Sequence, residues 1–203
     1  PIVTITSPAN NSEYNQPASI TINVNAYDSD GTISKVEFYN GNLKIGEKTS
    51  APWTFIWSSV SGGIYSITAI AVDNTGTKAT SAPVSIKVNK PPVVSISSPV
   101  TGSTFVAPAS IAITAYASDP DGTINKVEFY SGSVKLAEKT ASPWTYTWSN
   151  VPGGSYSLIV IATDNSGLKK TSEAVTLKVN KPPVISISSP ATGSIFTQPA
   201  NIN

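Results

Sequence analysis

Along the whole chain, short runs of alternating apolar and polar residues are separated by clusters of Gly, Pro, Asn and Asp. Successive side chains of a strand point to opposite faces, so such alternation predicts half-buried strands, and no window carries the apolar spacing of an amphipathic helix. The first ninety residues hold about seven such runs, near the usual strand length: Ile2 to Thr6, Ser19 to Tyr27, Ile33 to Tyr39, Leu43 to Thr49, Trp53 to Trp57, Ile64 to Asp73 and Val84 to Asn89. Ile20, Ile22, Val24 and Ala26 fall on one face, as do Val36 and Phe38, then Trp53, Phe55 and Trp57, then Tyr65, Ile67, Ala69 and Ala71, then Val84, Ile86 and Val88. The opposite positions are mostly Thr, Ser, Asn, Lys and Glu, the pattern of sheets wet on one side only. Two sheets sealed face to face follow.

The pattern repeats. Pro1 to Lys90 returns as Pro92 to Lys181 without insertion or deletion, and a third copy opens at Pro183. Three units are expected: residues 1–90, 91–181, and the start of a third over 182–203, which reaches only the first strand and the beginning of the next. Asn89-Lys90-Pro91-Pro92 and Asn180-Lys181-Pro182-Pro183 separate them. Paired prolines fix φ and favour an extended, semi-rigid spacer. Asn40-Gly41, Ser131-Gly132 and Asp73-Asn74-Thr75-Gly76 place residues tolerant of positive φ between strands, so hairpins are expected there. Gly62-Gly63 ahead of Tyr65 predicts the sandwich corner in which a Tyr hydroxyl bonds back to nearby backbone. A chain opening on Pro1 is expected to be part of something longer.

Several blocks shared by the copies carry a resemblance: Pro-x-Val-x-Ile-x-Ser-Pro, Asp-x-Asp-Gly-Thr-Ile-x-Lys-Val-Glu-Phe-Tyr, Pro-Trp-Thr-(Phe/Tyr)-x-Trp, Gly-Gly-x-Tyr-Ser-(Ile/Leu) and Asp-Asn-x-Gly. Together they resemble the bacterial immunoglobulin-like domains found in tandem in secreted enzymes and surface adhesins. The resemblance implies an all-β fold of immunoglobulin-like sandwiches arranged end to end, and roles as spacer, adhesin stalk or accessory module.

Composition narrows the chemistry. There is no His and no Cys, which removes imidazole bases, thiolate nucleophiles, disulfides and the common zinc spacings. All 13 basic residues are Lys, spread along the units, and net charge is +1, so nucleic acid is not expected as a partner. No apolar run is long enough to cross a membrane as a helix. Most carboxylates occur at the same offset in both copies, and duplicated active sites in one segment are a poor design for an enzyme. A non-catalytic segment is expected.

Asp28, Asp30 and Asp73, mirrored by Asp119, Asp121 and Asp164, form the richest polar constellation. In an immunoglobulin-like sandwich their loops share a pole, where three carboxylates would repel one another unless something offsets the charge. Hard oxygen donors on loops suit Ca²⁺. Two alternatives stand beside it: the aspartates cap their own turns, or Lys78 and Lys169 neutralise them. Chain direction places the linker, and Lys90 with it, beside Asp119, Asp121 and Asp164.

Trp53, Trp57, Trp144 and Trp148 invite a sugar-stacking reading, but their spacing puts them on the inward face with Phe55 and Tyr146. Tyr39 and Tyr130 lie on the outward face with Lys35 and Glu37 or their counterparts and are the candidates for a surface contact. The expected function is a structural stalk, spacer or fibre of a secreted or cell-surface bacterial protein, an adhesin among the options. Its partners would be the neighbouring repeats, other copies through sheet edges, or glycan. The alternative is an accessory, spacer or carbohydrate-binding module of an extracellular polysaccharide-degrading enzyme.

Overall fold

The computed structural model describes residues 1–198, and every regular element among them is a strand. The first unit contains β1 (Ile2–Ser7), β2 (Ser12–Asn15), β3 (Ala18–Tyr27), β4 (Ile33–Asn40), β5 (Leu43–Lys48), β6 (Thr54–Val60), β7 (Gly63–Asp73), β8 (Lys78–Thr80) and β9 (Val84–Asn89). The second contains β10 (Val93–Ser98), β11 (Ser103–Val106), β12 (Ala109–Ser118), β13 (Ile124–Ser131), β14 (Val134–Lys139), β15 (Thr145–Val151), β16 (Gly154–Asp164), β17 (Lys169–Thr171) and β18 (Val175–Asn180). In the first unit β1, β3 and β6 make a three-stranded sheet, and β2-β9-β7-β4-β5, with β8 also on β7, make a six-stranded one. The second unit repeats both sheets strand for strand.

The faces assigned from alternation close on each other. Ile20 and Ile22 of β3 pack with Val36 and Phe38 of β4, Ile67, Ala69 and Ala71 of β7, and Ile86 and Val88 of β9, all buried in one cluster. Trp53, Phe55, Trp57 and Tyr65 pack against its rim, and Phe38 stacks on Phe55 with ring centroids 5.2 Å apart. The second core is built alike around Ile111, Ile113, Val127, Phe129 and Leu158. Burial of this apolar area is what drives the two sheets together.

The predicted turns are present. Gly41, Gly132 and Gly76 stand at φ 54°, 57° and 90° in their hairpins, a region where a β-carbon is disfavoured. The Tyr65 hydroxyl donates to Ser61 O at 2.8 Å, and Tyr156 does the same to Pro152 O at 2.8 Å. Each hydroxyl ties the start of its long strand to the preceding corner.

Each unit has nine strands where alternation predicted about seven. The additions are β2 and β8, with their counterparts β11 and β17. β2 is held by parallel backbone pairing to β9 and needs no apolar pattern to do it. Lys78 opens β8, and Lys169 opens β17. Strand β6 also runs past Trp57 to Val60, because Ser58 and Ser59 bulge against β3, with Ser59 at φ 57°. The bulge shifts the parity and returns buried Val60 to the core.

The start of the third copy behaves differently from the complete ones. Residues 181–198 form no strand, and residues 199–203 of the predicted third unit lie outside the described residues. Ile185 is 87% exposed, whereas its counterpart Val3 is buried. In a complete unit that strand is held by β3, and no equivalent of β3 stands among the described residues of the third copy.

Candidate functional site

Strand register sets where the acidic residues lie. β7 pairs with Val88 at its start, Gly63, and with Ile33 at its end, Asp73, so Asp73 and Asn89 stand at opposite poles of the first unit. Asn74 draws the two loops of the acidic pole together: its backbone N–H donates to Thr32 O at 3.0 Å, and its side-chain Oδ1 accepts from Thr32 N at 3.0 Å. Asn165 and Thr123 repeat the pair at 2.9 and 2.8 Å. The loop glycine is required by crowding. A β-carbon on Gly31 would collide with Asn74 Oδ1 and Asp28 Oδ2, and one on Gly122 with Asn165 Oδ1 and Asp119 Oδ2.

In the first unit Asp28, Asp30 and Asp73 line one cleft of about 200 Å³ together with Pro1, Asn74, Thr75 and Thr77. Their bonds differ. Asp73 Oδ1 accepts from Thr75 N, Thr75 Oγ1 and Thr77 N at 2.8, 2.7 and 2.9 Å, which caps the hairpin. The Thr75 hydroxyl, followed by these backbone donors, holds the Asp73 carboxyl below its ordinary value. Asp28 Oδ1 is 3.2 Å from the Pro1 amino group, and Asp30 is exposed at the lip.

The second unit has the same aspartates but a different neighbour. Asp164 Oδ1 caps its hairpin by accepting from Ser166 N and Leu168 N at 2.8 and 2.9 Å. Its Oδ2 accepts from the side chain of Asn89, the last residue of β9 in the unit before, at 2.8 Å. Asp121 accepts from Lys90 N at 3.2 and 3.3 Å on its two carboxylate oxygens. Lys87 Nζ donates to Asp121 O at 3.1 Å and lies 3.9 Å from Asp121 Oδ2. Burial pushes the Asp119 carboxyl above its usual range, and the charges of Asp164 and Asp121 add to that push. The linker thus enters beside Asp121 and Asp164, and strand β9 reaches across with it.

Turn capping therefore accounts for one oxygen of Asp73 and one of Asp164. Among the described residues, Lys78 and Lys169 form no ion pair with the aspartates, and no three His, Cys, Asp or Glu side chains converge closely enough to hold a metal among themselves. Asn89 was missed by sequence reasoning. Alternation places it outward, after Val84, Ile86 and Val88, and only the neighbouring unit buries it; its recurrence as Asn180 just before Lys-Pro-Pro was the available signal.

The aromatic candidates are partly covered. Trp57 meets Tyr65 edge to face with ring centroids 5.1 Å apart, and Trp148 meets Tyr156 at 5.0 Å, all four packed against the cores. Tyr39 and Tyr130 are half-buried on the outer face of the larger sheet, and the Tyr39 hydroxyl donates to Glu37 Oε2 at 3.1 Å. Beside it, Lys35 and Lys44 stand 2.6 and 2.9 Å from Glu37 Oε1 and bridge on to Glu47 at 3.2 and 2.6 Å. Lys35, then Lys44, with the Tyr39 hydroxyl adding less, hold Glu37 down to about 2. Lys126, Glu128, Lys135 and Glu138 repeat the ladder in the second unit. No helix among the described residues is long and apolar enough to cross a membrane.

No curated protein matches the chain. Among solved structures it is similar to the fibronectin(III)-like modules of Clostridium thermocellum CbhA, at 31% identity over 89% of this chain and 95% of that one, with a TM-score of 0.46. An I-band fragment of titin aligns over 89% of this chain and 66% of its own at 15% identity and TM-score 0.48. Extracellular domains 3–5 of Drosophila OTK align over 88% and 62% at 17% identity and TM-score 0.45. The model of the bacterial Ig domain family matches residues 1–69 and again 92–160, more than half of the chain. With two copies of its sandwich in tandem, the chain belongs to the bacterial Ig domain family.

Proposed function

We propose that this tandem pair is a stiff spacer within a secreted or cell-surface bacterial protein, such as the stalk of an adhesin, holding other parts of that protein at a set separation. The observation that carries the reading is the joint. The two-proline linker is semi-rigid by itself, and Lys87, Asn89 and Lys90 of one unit further engage Asp121 and Asp164 of the next through four hydrogen-bond contacts. Each charge-assisted bond of this kind contributes about 1.5–3 kcal/mol when well formed. Every complete unit carries both halves of the device, an Asn-Lys end and an acidic pole, so the same joint can be extended unit by unit.

Sugar stacking is the less supported role, since the tryptophans spend their faces on Tyr65, Tyr156 and the cores. Small-angle scattering of the intact chain tests the spacer reading. The expected result is a profile fitted by one relative orientation of the two units, which broadens to an ensemble in Lys87→Ala/Asp121→Ala. An unsubstituted chain that already needs an ensemble of bent forms would overturn it. Retention on an insoluble polysaccharide, lost in Tyr39→Ala/Tyr130→Ala, would favour the accessory module of a polysaccharide-degrading enzyme instead.

A further inference from the structure

Asn89 and Lys90 each have one arm in either unit. The Asn89 carbonyl accepts from Gln16 N at 3.1 Å within its own unit, while its side chain donates to Asp164 in the next. Lys90 donates its backbone N–H to Asp121, but its side chain turns back onto the corner ahead of Tyr65. There it lies over Gly62, where a β-carbon would collide with Lys90 Cγ and stand 3.2 Å from Lys90 Cβ. Both atoms are at the root of the side chain, so the lysine could not clear such a carbon by moving its flexible end alone. Gly62 lies outside the left-handed region that Gly41 and Gly76 occupy, so its backbone does not call for glycine. What glycine supplies is room. The second unit holds the same seat, although among the described residues no acidic pole stands over it. A β-carbon on Gly153 would collide with Lys181 Cγ and lie 3.3 and 3.4 Å from its Cε and Cδ, and Ala107 N donates to Asn180 O at 2.9 Å. Each linker lysine is therefore seated by its own unit.

We propose that the corner glycine aims the linker: Gly62 seats the stem of Lys90, and the seat sets the direction in which the chain leaves the first unit, so that the Lys90 N–H arrives at Asp121. Gly62 is a positioning residue for the joint and acts on Asp121 through Lys90. A linker held in its docked direction before docking has less freedom to lose when the units meet, which is how preorganisation strengthens a contact. The angle between units is then written into each unit's own corner, and the acidic pole of the next unit receives a strand end already pointed at it. The seat gains its purpose from the spacer reading, on which the inference rests, but it is measured separately at one backbone amide.

Hydrogen exchange of the backbone N–H at position 90, read by NMR on the intact chain beside small-angle scattering, tests it. Gly62→Ala should speed that exchange about fivefold, the weight of a single hydrogen bond, and spread the scattering over several orientations of the two units. Gly153→Ala makes the same change at the second unit's corner and should leave both readings as in the unsubstituted chain. Lys90→Ala removes the stem and keeps the N–H; it should give the same two losses, and it answers for a Gly62→Ala chain that fails to fold. In Gly62→Ala/Lys90→Ala the added carbon has nothing left to displace, so the losses should equal those of Lys90→Ala alone. Losses that add in the double variant would overturn the proposal. So would a Gly62→Ala chain whose first unit melts earlier while exchange and scattering stay unchanged. An unsubstituted chain that needs an ensemble, yet still shows the exchange effect of Gly62→Ala, would sink the spacer reading and leave the seat standing.

Discussion

Asn89 and Asn180 occupy the same place at the end of the same strand, yet the first is almost fully buried and the second is exposed. Within their own units both end the same strand, paired with Asn15 in the first and Val106 in the second. The difference is the acidic pole of the next unit, which covers Asn89; among the described residues no such pole stands over Asn180. The acidic pole of the second unit receives a strand end and linker from the unit before it. The two cores are close copies, so the pair separates what a unit needs in order to fold from what it needs in order to join.

The largest effect that can break this comparison is in the core. Phe38 and Phe129 are both 0% exposed, and Phe38→Ala should cost the first unit about 3–5 kcal/mol, a large part of the 5–15 typical of such a domain. Calorimetry should then show one early transition and one unshifted, with Phe129→Ala giving the reverse assignment; a single transition shifting as a whole would mean that the units do not fold separately.

A sharper contrast comes from the two asparagines. Asn89→Ala removes a donor from a buried carboxylate and should destabilise by about 1–3 kcal/mol, while Asn180→Ala should stay within about 0.5 kcal/mol. Urea midpoints of the two variants would collapse this distinction if they fell equally.

The smallest expected difference lies in acid. Glu37 is held at about 2 when folded against an ordinary 4.5, and Glu128 is also lowered, chiefly by Lys135. A depressed carboxylate contributes stability that is complete above its unfolded value and is lost as pH falls toward the folded one. Urea midpoints should therefore drop between about pH 4.5 and pH 2, and Glu37→Gln should remove part of that dependence from the first unit. Glu128→Gln is expected to remove less than Glu37→Gln, because Lys126 stands 3.5 Å from Glu128 where Lys35 is 2.6 Å from Glu37.

Much of the sandwich was legible because burial on one face writes itself into the alternation: Ile20, Ile22, Val36, Phe38, Ile67 and Val88 all lie where parity placed them. β2 and β8 were not, since Ser12-Glu13-Tyr14-Asn15 and Lys78-Ala79-Thr80 are held mainly through backbone pairing at the sheet margin. Val60 was hidden by the bulge. Glu37, outward by parity, is nonetheless 6% exposed because Lys35, Lys44 and Tyr39 close over it. At the acidic pole, convergence of the two loops followed from the immunoglobulin-like topology and the arrival of the linker from chain direction, but the part played by Asn89 did not. Parity within a strand reports on its own sandwich and is blind to a neighbour that docks on the end.

The parallel pairing of β2 with β9 sets how the chain answers tension. A pull on the two ends draws β2 toward one pole and β9 toward the other, so the ladder from Ser12↔Ile86 to Asn15↔Asn89 is loaded in shear and its bonds must yield together. A hairpin opened from its tip would yield one bond at a time. The short margin strand that alternation did not reveal is thus loaded lengthwise by a stretching force, and its ladder is repeated as β11 on β18.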